Sequence, residues 1–137
     1  MKQMYVILCL VAVCAWTACG HAPSKSTDTA VRTVEISDVV NPAVLYAGVG
    51  EEVRWMNLRE NPVMMSFLNT RVLERLGCEK GMTDLFGQVK DLVTIPSGGS
   101  ISLCFLQSGD HHYNVWFDAE NPKGTISSTL TVSIEEG

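Results

Sequence analysis

The residues that could bind a soft metal ion are two pairs of consecutive residues, Met64–Met65 and His111–His112. Thioether sulfur and imidazole nitrogen are ligands that suit Cu(I). The two histidines are neighbours in a segment that alternates like a β-strand, so they point to opposite faces and cannot bind one ion. His111 takes the core-facing position beside Tyr113, where a packed, hydrogen-bonded histidine is expected. Met64, Met65 and His112 remain as a candidate copper site, with simple packing as the alternative for the methionines.

The cysteines predict one disulfide. Of the five, Cys9 and Cys14 lie in an N-terminal leader and Cys19 at its end, which leaves Cys78 and Cys104 for the folded part. An even pair in an exported protein predicts a disulfide, and two buried free thiols are the alternative. Cys78 has no other cysteine and no histidine within four residues, so the spacing matches no zinc motif.

The first 18 residues are typical of an export signal. Lys2 precedes an uncharged, mostly apolar run over residues 4–18, which is short for a membrane span but suits a secretory signal. Small residues directly before Cys19 resemble the lipobox of bacterial lipoproteins, although Trp16 stands where that family has an aliphatic residue. The resemblance implies cleavage before Cys19 and a lipid on it. Plain secretion and an uncleaved anchor are the alternatives.

The chain divides into residues 1–18 as signal, 19–30 as tether and 31–137 as one domain. The tether is polar and contains Pro, Ser, Thr and Gly, a composition typical of flexible linkers. Gly20, which follows the cysteine, implies by resemblance to Gram-negative sorting that the lipoprotein lies in the outer membrane and faces the periplasm. The membrane would then be contacted through the N-terminal lipid.

The charge of the chain argues against two classes of partner. The formal charge is −5, and it becomes −6 when Lys2 leaves with the signal. An acidic chain with no basic cluster is not expected to bind nucleic acid or anionic lipid.

Alternating apolar residues predict a β-hairpin between residues 101 and 117 and further short strands on both sides of it. Seven or eight short strands, turn signals between them and no strong helix predict an antiparallel β-sandwich. The alternating core positions of the hairpin are Ile101, Leu103 and Phe105, then His111, Tyr113, Val115 and Phe117.

Residues 69–91 show no strand pattern. Residues 71–76 could form a single helical turn, and the rest of the segment is predicted to be a loop. Loops this long in a compact domain are usually pinned or functional. Cys104 alternates with the core residues of its strand, so a bond to Cys78 should hold this loop against the outside of the sheet.

Three segments resemble the cupredoxins, the small blue-copper proteins. They are residues 49–57 (VGEEVRWMN), residues 95–109 with their Pro-Ser-Gly-Gly turn and aromatic hairpin, and residues 123–126 before the last strand. The resemblance spans residues 31–134 and implies a Greek-key β-sandwich.

The same resemblance places the type 1 copper ligands on residues that cannot bind copper. The first histidine falls at Val63, the cysteine at Val115, the second histidine at Asp118 and the methionine at Pro122. A type 1 site needs two histidines, a thiolate and usually a methionine. The sequence therefore predicts no cofactor, although copper on non-standard ligands stays open.

Enzyme chemistry has little support in the sequence. Asp118 and Glu120 near Lys123 form a polar loop rather than a positioned acid–base pair, and Ser97 and Ser100 have no base nearby in the chain. No phosphate-binding or nucleotide-binding motif is present. We therefore expect a protein that is not an enzyme.

The remaining candidate site is a surface at the end where copper would lie. Trp116, Phe117 and Pro122, with Met64 opposite, predict an apolar docking face for an envelope protein. Filling of the vacated copper position by Val63, Val115 and Phe117 is the alternative reading. The function expected is a non-enzymatic, envelope-anchored binding or structural module, and the alternative is a copper-binding or electron-transfer accessory.

Overall fold

The computed structural model describes residues 30–85, 87–118 and 124–133. The predicted export signal, Cys19, the predicted tether up to residue 29 and Pro122 lie outside the described residues. Within them, no helix is long and apolar enough to span a membrane.

Ten strands and one short helix make up the described part of the chain. The strands are β1 (Val31–Ile36), β2 (Val40–Asn41), β3 (Val44–Gly48), β4 (Glu52–Asn57), β5 (Val63–Phe67), β6 (Leu76–Lys80), β7 (Leu92–Ile95), β8 (Ser100–Phe105), β9 (Gly109–Trp116) and β10 (Ile126–Ser133). A 3-10 helix, Thr70–Glu74, lies between β5 and β6.

The strands form two five-stranded sheets with one core between them. Sheet A has the order β2-β1-β4-β8-β6 and sheet B the order β3-β10-β9-β5-β7. The predicted all-β sandwich is confirmed, but its sheets are mixed rather than wholly antiparallel. β1 pairs with β4, and β3 with β10, in parallel. Alternation along a strand fixes which face each side chain takes, but it does not say which distant strand will pair with it.

The structure contains two strands that the sequence did not predict, β2 and β6. β2 has only two residues, too few to show alternation. β6 lies in the segment that the sequence predicts to be a loop, because residues 76–80 show no strand alternation and Gly77 ends the predicted helical turn. Pairing with the edge of β8, rather than its own residue pattern, makes this segment a strand.

The predicted disulfide between Cys78 and Cys104 is present, but it does not hold a loop against the sheet. The two cysteines are directly opposite each other on β6 and β8, with Cα atoms 4.9 Å apart. The bond therefore links neighbouring strands within sheet A, on its outer face. It ties the edge strand β6 to the sandwich.

The core is built around an aromatic cluster. Trp55 makes edge-to-face contacts with Phe67, Phe105 and Tyr113 at centroid distances of 5.8, 6.4 and 5.6 Å. All four side chains are buried, and they come from both sheets. Such edge-to-face pairs add stability beyond the area they bury, so this cluster fixes how the two sheets pack.

Candidate functional site

The copper-ligand positions implied by the sequence resemblance are occupied by core and surface residues. Val63, at the start of β5, and Val115, near the end of β9, are fully buried within the hydrophobic core. Asp118 follows β9 and is exposed to solvent, and Pro122 lies outside the described residues. The valines offer no electron pair to a metal, so this end of the sandwich is closed by apolar packing.

A cation–aromatic contact covers the same end. The guanidinium carbon of Arg59 lies 4.1 Å from the centre of the Phe117 ring. The same guanidinium donates hydrogen bonds to the backbone oxygen of Ser37 at 3.0 Å and to a carboxylate oxygen of Asp38 at 2.8 Å. Phe117 is partly buried and packs against the core. It therefore fills space at this end while part of the side chain stays accessible, as it does for its neighbour Trp116.

Asn57 organises the loops of this end. Its side chain is fully buried, and its amide nitrogen lies 2.9, 3.0 and 3.1 Å from the backbone oxygens of Asn61, Ile95 and Pro96. Its carbonyl oxygen accepts a hydrogen bond from the backbone N–H of Arg59 at 2.9 Å. One side chain thus holds the β4–β5 loop and the β7–β8 turn together.

Trp116 and Met64 face each other across the outer side of sheet B. They are register partners on β9 and β5, and both are half-buried. The structure therefore brings together two of the four predicted docking residues. Phe117 is partly buried and packs against the core at the adjoining end, and Pro122 lies outside the described residues.

The three candidate copper ligands do not meet. Met65 is fully buried and faces the core, whereas Met64 lies on the outer face of sheet B. His112 shares that outer face but lies four residues along β9 from the partner of Met64, which corresponds to roughly 13 Å along the strand. The ring of His112 lies 3.0 Å from the hydroxyl of Thr129. In the described ranges, no three His, Cys, Asp or Glu side chains cluster as metal ligands would.

His111 takes the packed position that the sequence predicted. Its ring stacks on Phe105 at 5.0 Å, and one ring nitrogen lies 3.4 Å from the backbone oxygen of Gln107. Burial lowers the pKa of His111, and the Gln107 oxygen and the charge of Asp110 only partly oppose this effect. The imidazole is therefore neutral near neutral pH and acts as a core residue.

Three buried polar groups meet inside the sandwich. Trp55 Nε1 and the Ser128 hydroxyl lie near the Tyr113 hydroxyl, but none of the three has a hydrogen bond of normal geometry among the described residues. Burial raises the pKa of Tyr113, and the nearby groups of Trp55 and Ser128 oppose that rise. All three residues are enclosed in the core, so no substrate reaches them and they do not form a reaction site.

The outer face of sheet A carries charged residues beside the disulfide. Glu52 accepts a hydrogen bond from Arg54 at 2.8 Å and lies 3.7 Å from the ammonium group of Lys80. Hydrogen bonds from Arg54 and Ser102 hold the pKa of Glu52 below its usual value. The charges of these side chains are paired with one another, as expected for a solvated face.

Comparison with known proteins identifies the fold. No family model matches the chain, and no curated protein matches it. Among solved structures, it is similar to a methionine-to-alanine variant of amicyanin with Cu(I), at TM-score 0.51 and 17% identity, covering 75% of this chain and 82% of amicyanin. A reduced tryptophan-to-tyrosine variant of amicyanin aligns at TM-score 0.52 and 18% identity, covering 77% and 84%.

The fold is cupredoxin-like. Identities this low show the architecture alone, and the copper of those amicyanin structures is a property of amicyanin. The cupredoxin-like resemblance of residues 49–57 already singled out Asn57 as part of a motif, although not as the residue that joins two loops. No sequence motif indicated a role for Arg59, because its partners Ser37 and Phe117 are distant from it in the sequence.

Proposed function

We propose that this protein is a non-enzymatic binding module of the bacterial cell envelope. It has a cupredoxin-like fold without type 1 copper, and it binds an envelope protein through the surface formed by Trp116 and Met64. The observation that carries the proposal is the pairing of these two side chains on the outer face of sheet B, next to an end that is closed by Val63 and Val115.

The closed end argues for binding rather than electron transfer. A type 1 centre needs imidazole and thiolate ligands, and two of the implied positions hold buried valines. Cys78 and Cys104 are joined to each other, so neither supplies a thiolate.

The paired Trp116 and Met64 have the chemistry of a docking surface. Tryptophan is enriched at the residues that dominate protein–protein binding energy, and methionine adapts its shape to different partners. Both side chains retain exposed area, and both lie on strands rather than on loops, so they are held in place before a partner arrives.

The N-terminal sequence and the disulfide support an envelope location. A disulfide persists in oxidising compartments such as the periplasm. A lipid on Cys19 would anchor the module, and the polar tether would let it reach a partner near the membrane. Growth with a radiolabelled fatty acid tests this point: the full chain takes up label and the Cys19→Ala variant does not.

Site-specific photo-crosslinking in the periplasm tests the docking surface. A photoreactive amino acid at Met64 should give a discrete crosslinked protein, whereas the same group at Thr33, on the outer face of sheet A, should not. The Trp116→Ala change should abolish the crosslink from Met64. Equal crosslinking from both faces, or a crosslink that is indifferent to Trp116→Ala, would exclude this surface.

Copper titration of the purified chain tests whether the protein binds copper. We expect no stoichiometric binding of Cu(I) or Cu(II) and no visible absorption band. One tightly bound copper per chain would overturn the proposal in favour of a copper-binding accessory, and Met64, Met65 and His112 would then be changed in turn.

A further inference from the structure

The outer face of sheet B has a polar centre. On the central strand β9 and its neighbour β10, side chains pair across the strands and remain accessible to solvent. The Thr131 hydroxyl donates to the Asp110 carboxylate at 2.8 Å, and the Ser127 hydroxyl donates to the Asn114 amide oxygen at 2.7 Å. The pair His112–Thr129 lies between them at 3.0 Å. We call these three pairs the polar ladder.

Apolar side chains border the polar ladder. On one side, β3 presents Tyr46 and Val44, which are 68% and 45% exposed. On the other side, beyond β5, Leu92 of β7 is 42% exposed, and Leu68, which directly follows β5, is 61% exposed. Tyr46 is the register partner of Thr131, which is itself the partner of Asp110. The aromatic ring therefore stands at the end of a row of hydrogen-bonding groups.

The five strands of sheet B contain no lysine and no arginine, and Asp110 is their single carboxylate. The outer face of sheet A, by contrast, carries Arg54, Lys80 and Glu52. A surface without cations cannot neutralise phosphate, sulfate or uronate groups. An anionic polymer is therefore disfavoured along the polar ladder, and the single carboxylate of Asp110 gives a cationic polymer little charge to pair with.

The polar ladder, unlike the Trp116–Met64 pair at its end, does not have the arrangement of a protein interface. Protein interfaces have an apolar centre and a polar rim, whereas the ladder is a row of polar side chains with apolar side chains beyond it. Covering the ladder with an apolar partner would leave buried hydroxyl, amide and carboxylate groups with unused hydrogen-bonding capacity, which is costly. The partner must bring its own closely spaced donors and acceptors, together with apolar patches for Tyr46.

We propose that the polar ladder and Tyr46 form a binding site for an uncharged polysaccharide. Sugar rings carry hydroxyl groups around their edge and C–H groups on their faces. The hydroxyls match the remaining donors and acceptors of Asp110, His112 and Asn114, and the C–H face matches the ring of Tyr46. Successive outward side chains on β9 are spaced by roughly 7 Å, so the ladder contacts a chain of sugars rather than one. This site does not depend on the protein docking proposed at Trp116.

Affinity electrophoresis of the full chain tests the site. The probes are three uncharged polysaccharides, laminarin, dextran and galactomannan, with alginate as an anionic comparison. We expect at least one uncharged polymer to retard the protein and alginate not to do so. Tyr46→Ala should weaken apparent affinity about five-fold, as the loss of one stacking contact predicts, and Asn114→Ala should weaken it as well. Thr33→Ala, on the outer face of sheet A, is the matched control and should bind normally.

Several results would overturn the proposal. They are no retardation by any uncharged polymer, equal retardation by alginate, or binding unchanged in both Tyr46→Ala and Asn114→Ala. Sedimentation that shows a dimer dissociated by Tyr46→Ala would assign the face to a second copy of the chain instead. Circular dichroism checks that each variant is folded, and Ser127→Ala replaces Asn114→Ala if the latter is not. Because none of these variants changes Trp116 or Met64, failure here and failure of the protein docking are distinguishable.

Discussion

The guanidinium of Arg59 lies over the ring of Phe117, with its central carbon 4.1 Å from the ring centre. This contact covers the end of the sandwich that contains Val63 and Val115. It joins the β4–β5 loop to the segment after β9. The ion pair of Arg59 with Asp38 also connects the β4–β5 loop to the β1–β2 turn. Closure of this end is therefore shared by three loops that are far apart in the sequence.

Replacing Arg59 should loosen this end measurably. Arg59→Ala removes the contact with Phe117 and the hydrogen bond to Ser37, and we expect a loss of about 1–2 kcal/mol in the free energy of unfolding. Asp38 is fully exposed, so Asp38→Ala should cost much less. Urea unfolding followed by tryptophan fluorescence measures both. Equal losses in the two variants would show that the exposed ion pair, rather than the aromatic contact, matters.

Breaking the Cys78–Cys104 bond should destabilise the whole sandwich. The cysteines are separated by 26 positions, and closing a loop of that size in the unfolded chain is worth about 3.5 kcal/mol in the chain-entropy model. The double variant Cys78→Ala/Cys104→Ala should unfold at correspondingly lower urea concentration. Adding a reductant should shift the original protein to the same midpoint and leave the double variant unchanged. A midpoint insensitive to both changes would contradict the prediction.

Removal of the Asn57 amide should be among the most damaging single changes. Asn57→Ala leaves backbone oxygens of two loops and the N–H of Arg59 without their partner in a buried site. Unpaired buried groups cost about 1–3 kcal/mol each, so a total near 3 kcal/mol is expected. Asn61→Ala makes the same chemical change at an exposed side chain and should be nearly neutral. Similar urea midpoints for the two variants would disprove the role of Asn57.

His111 should make the protein sensitive to acid. Its pKa is lowered in the folded state by burial, so below the ordinary value of about 6.5 the unfolded chain binds a proton that the folded chain does not. The free energy of unfolding should therefore fall as the pH drops from about 6.5 through the folded pKa. His111→Gln should remove this slope, and His112→Gln, at an exposed position, should keep it. A slope that is unchanged in His111→Gln would assign the acid sensitivity to other groups.

The sequence by itself determined which residues face the core. Alternation along β4, β8 and β9 correctly placed Trp55, Phe105 and His111 inside, because side chains of a strand point to opposite faces in turn. The cysteine count predicted the disulfide, and the cupredoxin-like motifs predicted the sandwich. Each of these signals is local, or depends only on the types of residue present.

Only the tertiary structure decided how these pieces meet. Parallel pairing of β1 with β4, the strand β6 at the edge of sheet A, and the placement of Arg59 over Phe117 all depend on contacts between distant segments, which no local pattern encodes. The polar ladder likewise could not be predicted from the sequence, since Asp110 and Thr131 are 21 positions apart. They become neighbours only because backbone pairing of β9 with β10 sets their register.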